Sequence, residues 1–231
     1  MIFAPKSGNN EPAQPVIIQS DNFVTLIGGG KVDSGTLEQA LRFAPLLVAA
    51  DGGANQGLAL GHIPVAVIGD MDSLSAEAQA ALDPNILHAI DEQESTDFDK
   101  ALRNIDAPGV LAVGFTGRRI DHELSVYHSL VVQRDRPCIV LGRDDLAFHL
   151  NGRMTLSLPL GTRVSLFPMA KVDVTATGLL WPVEDMEMAP WLRIGTSNQS
   201  VAPEVTLVSS GGGLLVILPR EHLAAAIEAI G

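Results

Sequence analysis

Between Phe23 and Leu141 the chain repeats one pattern: a run of four to six mostly apolar residues without polar alternation, a turn rich in Gly or Asp, and a stretch with helical spacing. The runs Phe23–Ile27, Leu46–Ala50, Val65–Ile68, Ile86–Ile90, Val110–Phe115 and Cys138–Leu141 predict strands. Thr36–Phe43, Ala54–Leu60, Ala76–Leu82, Thr96–Arg103 and Asp121–Gln133 predict the helices between them. Strands that do not alternate are apolar on both sides, which is what a parallel sheet covered by helices on both faces requires. From Asn151 the pattern changes. Met154–Leu158, Arg163–Phe167, Val172–Thr175, Val205–Val208 and Leu214–Leu218 are short, β-rich and separated by Gly, Pro, Asn and Ser, as in an antiparallel sandwich. The expected fold is therefore α/β: a polar tail over residues 1–20, a parallel-sheet α/β domain over 21–145, and a β-sandwich domain over 150–231. The boundary falls near Gly142–Gly152, and Glu221–Ile230 reads as a small helix or a frayed tail.

With 231 residues, 46% of them hydrophobic, the chain has enough apolar material for a core and is not disordered. Its single cysteine, Cys138, excludes a disulfide scaffold and a Cys-ligated zinc site, and fits a reducing cytoplasm. No apolar run approaches the roughly 20 residues of a membrane span, and the first residues have neither a basic nor an apolar leader region. A formal charge of −12 with no run of Lys or Arg argues against a nucleic-acid partner. The acid is unevenly placed: 20 acids and 10 bases lie in residues 1–149, against 7 and 5 in the remainder, and Asp51–Asp99 holds ten acids without one Lys or Arg.

Several of these acids fall where predicted strands end, the edge at which open parallel sheets bind ligands. Asp51 follows one strand, Asp70 and Asp72 another, and Asp97 and Asp121 open helices after two more. Residues two apart in an extended loop project to one side, so Asp70 and Asp72 can converge, and close carboxylates call for a proton or a hard cation such as Mg²⁺. The same residues also suit helix N-caps, with Asp72 or Ser73 starting one helix and Asp97 and Asp121 two others. Gly28-Gly29-Gly30 and Gly52-Gly53 follow strands and allow backbone N–H groups close to an anion, or simply make tight turns. There is no GxxxxGK[ST] and no GxGxxG. In Gly114–His122, Arg118 and Arg119 can pair with phosphate oxygens, or decorate a surface turn. His122 and Ser125 lack a GxSxG context, and a serine nucleophile is not supported. Among only ten aromatics, Trp181 and Trp191 lie in the β-rich part near Gly195–Asn198. There an indole can stack on a cationic heterocycle or serve as core.

Taken in order, Ala50-Asp51-Gly52-Gly53-Ala54-Asn55, Ile68-Gly69-Asp70-Met71-Asp72-Ser73, Ser95-Thr96-Asp97, the Thr116–His122 turn, Gly178-Leu179-Leu180-Trp181 and Thr196-Ser197-Asn198 resemble the blocks of the thiamine pyrophosphokinase family. Arg118 stands where that family often has Gly. The resemblance implies transfer of the diphosphoryl group of ATP to the hydroxyl of thiamine, giving thiamine diphosphate and AMP, with Mg²⁺ required and ATP as co-substrate. It implies that Asp70, Asp72 and Asp97 hold the metal and that these three act in catalysis together with Arg119 and Asp121. Asp51, Gly52, Gly53, Thr96 and Arg119 would meet the nucleotide. Trp181, Ser197 and Asn198 would receive thiamine, at the subunit contact of a homodimer. Two alternatives share parts of this pattern: a Mg²⁺-dependent nucleotide hydrolase and a non-catalytic thiamine or nucleotide sensor.

Overall fold

The computed structural model describes residues 16–231, so most of the expected tail over residues 1–20 lies outside the described residues. The part that is described is not tail throughout. A two-residue strand β1 (Ile18–Gln19) pairs in parallel with β6 (Ile105–Asp106), beside the main sheet.

Six strands form a parallel array: β2 (Val24–Ile27), β3 (Leu46–Ala50), β4 (Ala66–Gly69), β5 (Leu87–Ala89), β7 (Val110–Val113) and β8 (Cys138–Leu141). Their spatial order is β8-β7-β2-β3-β4-β5. Alternate residues feed opposite faces. Leu47, Ala49, Val67, Leu111 and Val113 join one hydrophobic cluster, while Val48, Ala50, Ile68, Val110 and Ala112 join the other. This two-sided burial is the physical reason for the missing alternation in the sequence. The second cluster is closed by α4 (Asp97–Arg103) and α5 (Ile120–Val132), through Phe98, Ala101, Leu102, Val126 and Leu130. The first is closed by α1 (Ser34–Phe43), α2 (Gly53–Ala59) and α3 (Ala76–Ala81), through Leu37, Ala40, Ala54 and Ala78.

The sheet does not stop at residues 142–152. β9 (Asp145–Leu150), absent from the sequence reading, turns back antiparallel to β8 and continues the sheet through β16 (Leu214–Pro219), β11 (Arg163–Pro168) and β14 (Gly195–Gln199), ten strands in all. Only β10 (Arg153–Ser157), β12 (Val172–Thr177), β13 (Val183–Met188) and β15 (Glu204–Ser209) form a separate antiparallel sheet. In β10 and β12 buried and exposed positions alternate, as expected for strands with one wet face. Leu156, Val174 and Leu207 of this smaller sheet share a cluster with Leu166, Val216 and Leu218 of the large one. The last segment is a helix rather than a frayed tail: α6 (Leu223–Ile230) buries Leu223 and Ala226. No described helix is long and apolar enough to cross a membrane.

The order of the parallel strands reverses at β2, whose neighbours are β3 and β7. The crevice beyond the carboxyl ends of β2 and β7 is thus a topological switch point. Here the backbone passes closely: the Gly30 N–H donates to the Gly114 carbonyl at 2.9 Å. A Cβ on Gly30 would lie 2.5 Å from that oxygen, so no larger residue fits without displacing the loop.

Candidate active site

Asp51 leaves β3, Asp70 leaves β4, and Asp97 is the first residue of α4. The three carboxylates offer oxygens within 4.8 Å of one another. The helix caps are taken by other residues: Ser75 accepts from the Ala78 N–H at the start of α3, and Thr96 accepts from the Asp99 N–H at the start of α4. Neither Asp72, Ser73 nor Asp97 serves as a cap, which leaves the carboxylates of the cluster free to face one another.

The cluster is held by unusual backbone. Asp51 has φ 42° and Met71 has φ 67°, both in the left-handed region, where non-glycine residues cost energy and often mark functional sites. Gly69 makes room for this, since a Cβ there would fall 2.7 Å from the Asp51 Cβ. Asn55 of α2 fastens the following loop, donating to the Ser73 carbonyl at 2.8 Å and accepting from the Ser75 N–H at 3.0 Å. Asp72 lies outside the group of three: it is exposed, and its carboxylate accepts from the Ser73 hydroxyl at 2.8 Å.

Lys100, one residue beyond the acidic run, is the element that the sequence reading missed. Its side chain is 2% exposed and its Nζ lies 3.3 Å from both Asp70 Oδ2 and Asp97 Oδ1. Asp97 and Lys100 are three apart on α4, and that spacing was the available signal. Burial raises the pKa of Asp97 against the pull of Lys100, and Asp51 and Asp70 add to the rise. Burial likewise raises Asp51, although the Ser73 side chain and the Gly52 N–H oppose it. For Asp70 burial is outweighed by the Asp72 N–H and the Lys100 ammonium, and the net shift is downward. Burial would lower Lys100, but the two carboxylates win and raise it.

Asp51 Oδ1 is buried with no hydrogen-bond partner. An orphaned carboxylate oxygen normally costs about 1–3 kcal/mol or more, so it points to a ligand that completes it. Hard oxygens with one unsatisfied acceptor, and no nitrogen or sulfur in the set, fit Mg²⁺.

Arg119 and Asp121 form a separate, exposed unit at the start of α5. Arg119 Nε and Nη2 donate to the two Asp121 oxygens at 3.1 and 2.6 Å, and this pairing holds the Asp121 carboxyl down at about 2. Glu123 braces the preceding loop by accepting from the Gly117 N–H at 2.9 Å. The Ser125 hydroxyl donates to the His122 carbonyl, so the two do not form a nucleophile and base. Gly52 precedes α2 and Gly53 begins it, buried against the end of β2.

The predicted thiamine residues gather elsewhere. Trp181 is 57% exposed. Asn198 is buried and holds the Trp181 backbone: its Oδ1 accepts from the Trp181 N–H at 3.1 Å and from the Gln199 N–H at 2.8 Å, and its Nδ2 donates to the Trp181 carbonyl at 2.8 Å. Asn198 thus fixes the backbone that carries the indole, with one Nδ2 hydrogen beyond the bond to Trp181. Ser197 is exposed at φ 60°, its N–H donating to Ser165 Oγ. Leu180, Trp191, Leu192 and Val201 add further exposed apolar surface. β14, which carries Ser197 and Asn198, is the edge of the large sheet opposite β5. Seven strand spacings separate β14 from β3, roughly 34 Å across the sheet at 4.8 Å each.

Known proteins give this arrangement its context. The profile described as "Thiamin pyrophosphokinase, catalytic domain" matches residues 37–141, and "Thiamin pyrophosphokinase, vitamin B1 binding domain" matches residues 153–215. Thiamine pyrophosphokinase 1 of Arabidopsis thaliana is 28% identical over 260 residues, covering 89% of this chain and 94% of its own. Thiamine pyrophosphokinase 2 of Oryza sativa subsp. japonica is 28% identical, covering 77% of this chain and 79% of its own. Among solved structures, thiamin pyrophosphokinase from Geobacillus thermodenitrificans superposes with a TM-score of 0.71 at 25% identity, over 85% of this chain and 97% of its own. That from Candida albicans gives 0.72 at 15%, over 94% and 98%, a likeness of fold. Both halves of the chain match the two halves of one enzyme in order, and the chain belongs to the thiamin pyrophosphokinase family.

Proposed function

We propose that this chain is a thiamine diphosphokinase that transfers the diphosphoryl group of ATP to the hydroxyl of thiamine, releasing AMP. The observation that carries the reading is the buried, unpartnered Asp51 Oδ1 within a cluster of three aspartates at the sheet's ligand-binding edge, in a chain whose second half matches a vitamin B1 binding domain. Asp51, Asp70 and Asp97 would hold Mg²⁺, with Asp72 at the rim of the same loop. When bound, that ion neutralises polyphosphate charge, the main need in phosphoryl transfer.

The chain's own residues divide the remaining work. Lys100 keeps Asp70 and Asp97 ionised and close together. Arg119 pairs with phosphate oxygens, and Asp121 aims its guanidinium until the nucleotide arrives. Gly52, Gly53 and Thr96, at the starts of α2 and α4, line the way in for the nucleotide. The thiamine hydroxyl oxygen attacks the β-phosphorus and the bond to the α,β-bridging oxygen breaks, so that AMP leaves with that oxygen. The hydroxyl proton passes to solvent, since Asp121, held at about 2 by Arg119, is a poor acceptor for it. Trp181 stacks on the thiamine ring and Ser197 offers its hydroxyl, while Asn198 holds Trp181 in place.

A separation of roughly 34 Å across the sheet keeps Trp181 and Asn198 from serving the aspartates of their own chain. This supports a homodimer in which the β-sandwich half of one subunit presents thiamine to the aspartates of the other, with the exposed Leu180, Trp181 and Trp191 at the contact. The chemistry is tested by incubating the protein with ATP, Mg²⁺ and thiamine and following AMP and thiamine diphosphate together. Equal amounts of both are expected, with loss of both on chelation. ATP consumption indifferent to thiamine would instead mark a hydrolase, and no consumption a sensor.

A further inference from the structure

A second depression lies at the amino end of the parallel strand β8, on the far side from the carboxyl ends that carry the aspartates, where α5 ends, β8 begins and β9 runs into β10. It encloses about 240 Å³, and Arg134, Arg136, Arg153 and His149 line it without any Asp or Glu. In a chain of net charge −12 this is a local reversal of sign. Among the described residues, none of the three arginines has a carboxylate within 4.0 Å.

Two of the groups, Arg136 and His149, are held by hydrogen bonds, while Arg134 and Arg153 are exposed. Arg136 Nη1 donates to the Ile105 carbonyl at 2.5 Å. Gly212, in the Gly-rich turn between β15 and β16, lies against both Arg134 and His149: a Cβ there would fall 3.2 Å from Arg134 Nη1 and 3.7 Å from His149 Nε2. His149 Nε2 accepts from the Gly213 N–H at 3.0 Å, which leaves Nδ1–H as a donor. Burial, helped by the charge of Arg134, keeps this imidazole below its ordinary pKa. Arg134 also sits just past the end of α5, where a cation favours the helix dipole. That accounts for one guanidinium. It does not account for Arg136, two residues further along the same loop, or for Arg153, which reaches the same space from β10.

We propose that this cavity binds a small phosphate-bearing anion of about the size of inorganic diphosphate, with Arg134 and Arg153 pairing with its oxygens and Arg136 and His149 completing the ring of donors. Guanidinium forks match phosphate geometry. The volume is below the roughly 300–1,000 Å³ of pockets for drug-sized ligands, which favours a small anion over a whole nucleotide. The site is distinct from that of the proposed reaction and does not depend on it, since α5 alone, 13 residues long, puts about 20 Å between its Arg119 end and its Arg134 end.

The test is calorimetric titration of the full chain with inorganic diphosphate at low salt in EDTA, where the aspartate cluster has no ion to attract the ligand. One site per chain is expected, weakened tenfold or more in Arg134→Ala/Arg153→Ala and changed less than twofold in Arg119→Ala. Both arginines are exposed, so the double variant should fold, which a thermal melt checks; Arg153→Gln alone should weaken binding at least threefold. Absence of binding at millimolar diphosphate would overturn the proposal. So would binding that survives the double variant but disappears in Arg119→Ala.

Discussion

The two ends of the large sheet are built on opposite plans. At the parallel end the strands inside the edge strand β5 are covered on both faces, and the aspartates are locked by left-handed backbone at Asp51 and Met71, by Asn55 and by the buried Lys100. At the antiparallel end the wet edge strand β14 carries Ser197, and Trp181 stands 57% exposed above it, anchored only through its backbone. One end is finished within a single chain, and the other presents apolar surface that only a partner or ligand can cover. The difference teaches that preorganisation here is spent on charge, where misplaced carboxylates are most costly, while the aromatic end keeps an open face.

The largest effect is expected at the aspartates. Asp70→Asn should lower kcat by 100-fold or more, about 3 kcal/mol of transition-state stabilisation, while the far-ultraviolet spectrum stays native. Near-normal turnover would remove the metal assignment. Next, at thiamine concentrations below KM, where Asp70→Asn chains are nearly inactive and Trp181→Ala chains keep about a tenth of the activity, the two unfolded and refolded together should reach about a quarter of wild-type activity, because half the dimers then contain one intact composite site out of two. No recovery would mean that each chain serves itself. Trp181→Ala alone should raise the thiamine KM on the order of tenfold, about 1.5 kcal/mol for a lost cation–π contact, and leave the ATP KM unchanged. An equal change in both would contradict the division of labour between the ends.

The smallest effect concerns how firmly the parallel end is fastened. Burial would raise the Glu92 carboxyl, but the Ser95 hydroxyl and Arg103 outweigh it and bring it to about 2 from 4.5. Its stabilising contribution is therefore complete above pH 4.5 and is lost as pH falls from there toward 2. Glu92→Gln should flatten that part of the acid limb of urea stability by about 1 kcal/mol or less, since the pair is partly exposed. An unchanged slope would show that this ion pair adds nothing to the anchoring of α4.

The parallel half was legible in sequence because burial on both faces leaves an unmistakable apolar run, as in Val110–Val113 and Cys138–Leu141. The strands that were missed carry no such mark. β13, Val-Glu-Asp-Met-Glu-Met, and β14, Gly-Thr-Ser-Asn-Gln, expose most of their side chains and are strands because a neighbour pairs with them. β9 was hidden for another reason: it lies inside the stretch read as a boundary, although Leu146, Phe148 and Leu150 are as buried as any core residue. At the site, aspartates at strand ends were visible as a class. Which of them converge was not, because the orphaned oxygen of Asp51 and the outward turn of Asp72 depend on the left-handed residue between Asp70 and Asp72. Asn198 is read from sequence as a thiamine residue, and its amide faces the backbone of Trp181, a contact that sequence alone does not reveal.

Lys100 gives the aspartate cluster a permanent counter-ion. Asp70 and Asp97 do not wait for a divalent metal to relieve their repulsion, since an ammonium supplied by α4 already stands between them. A chelator is therefore expected to leave the thermal melt of the protein unchanged even where it stops turnover.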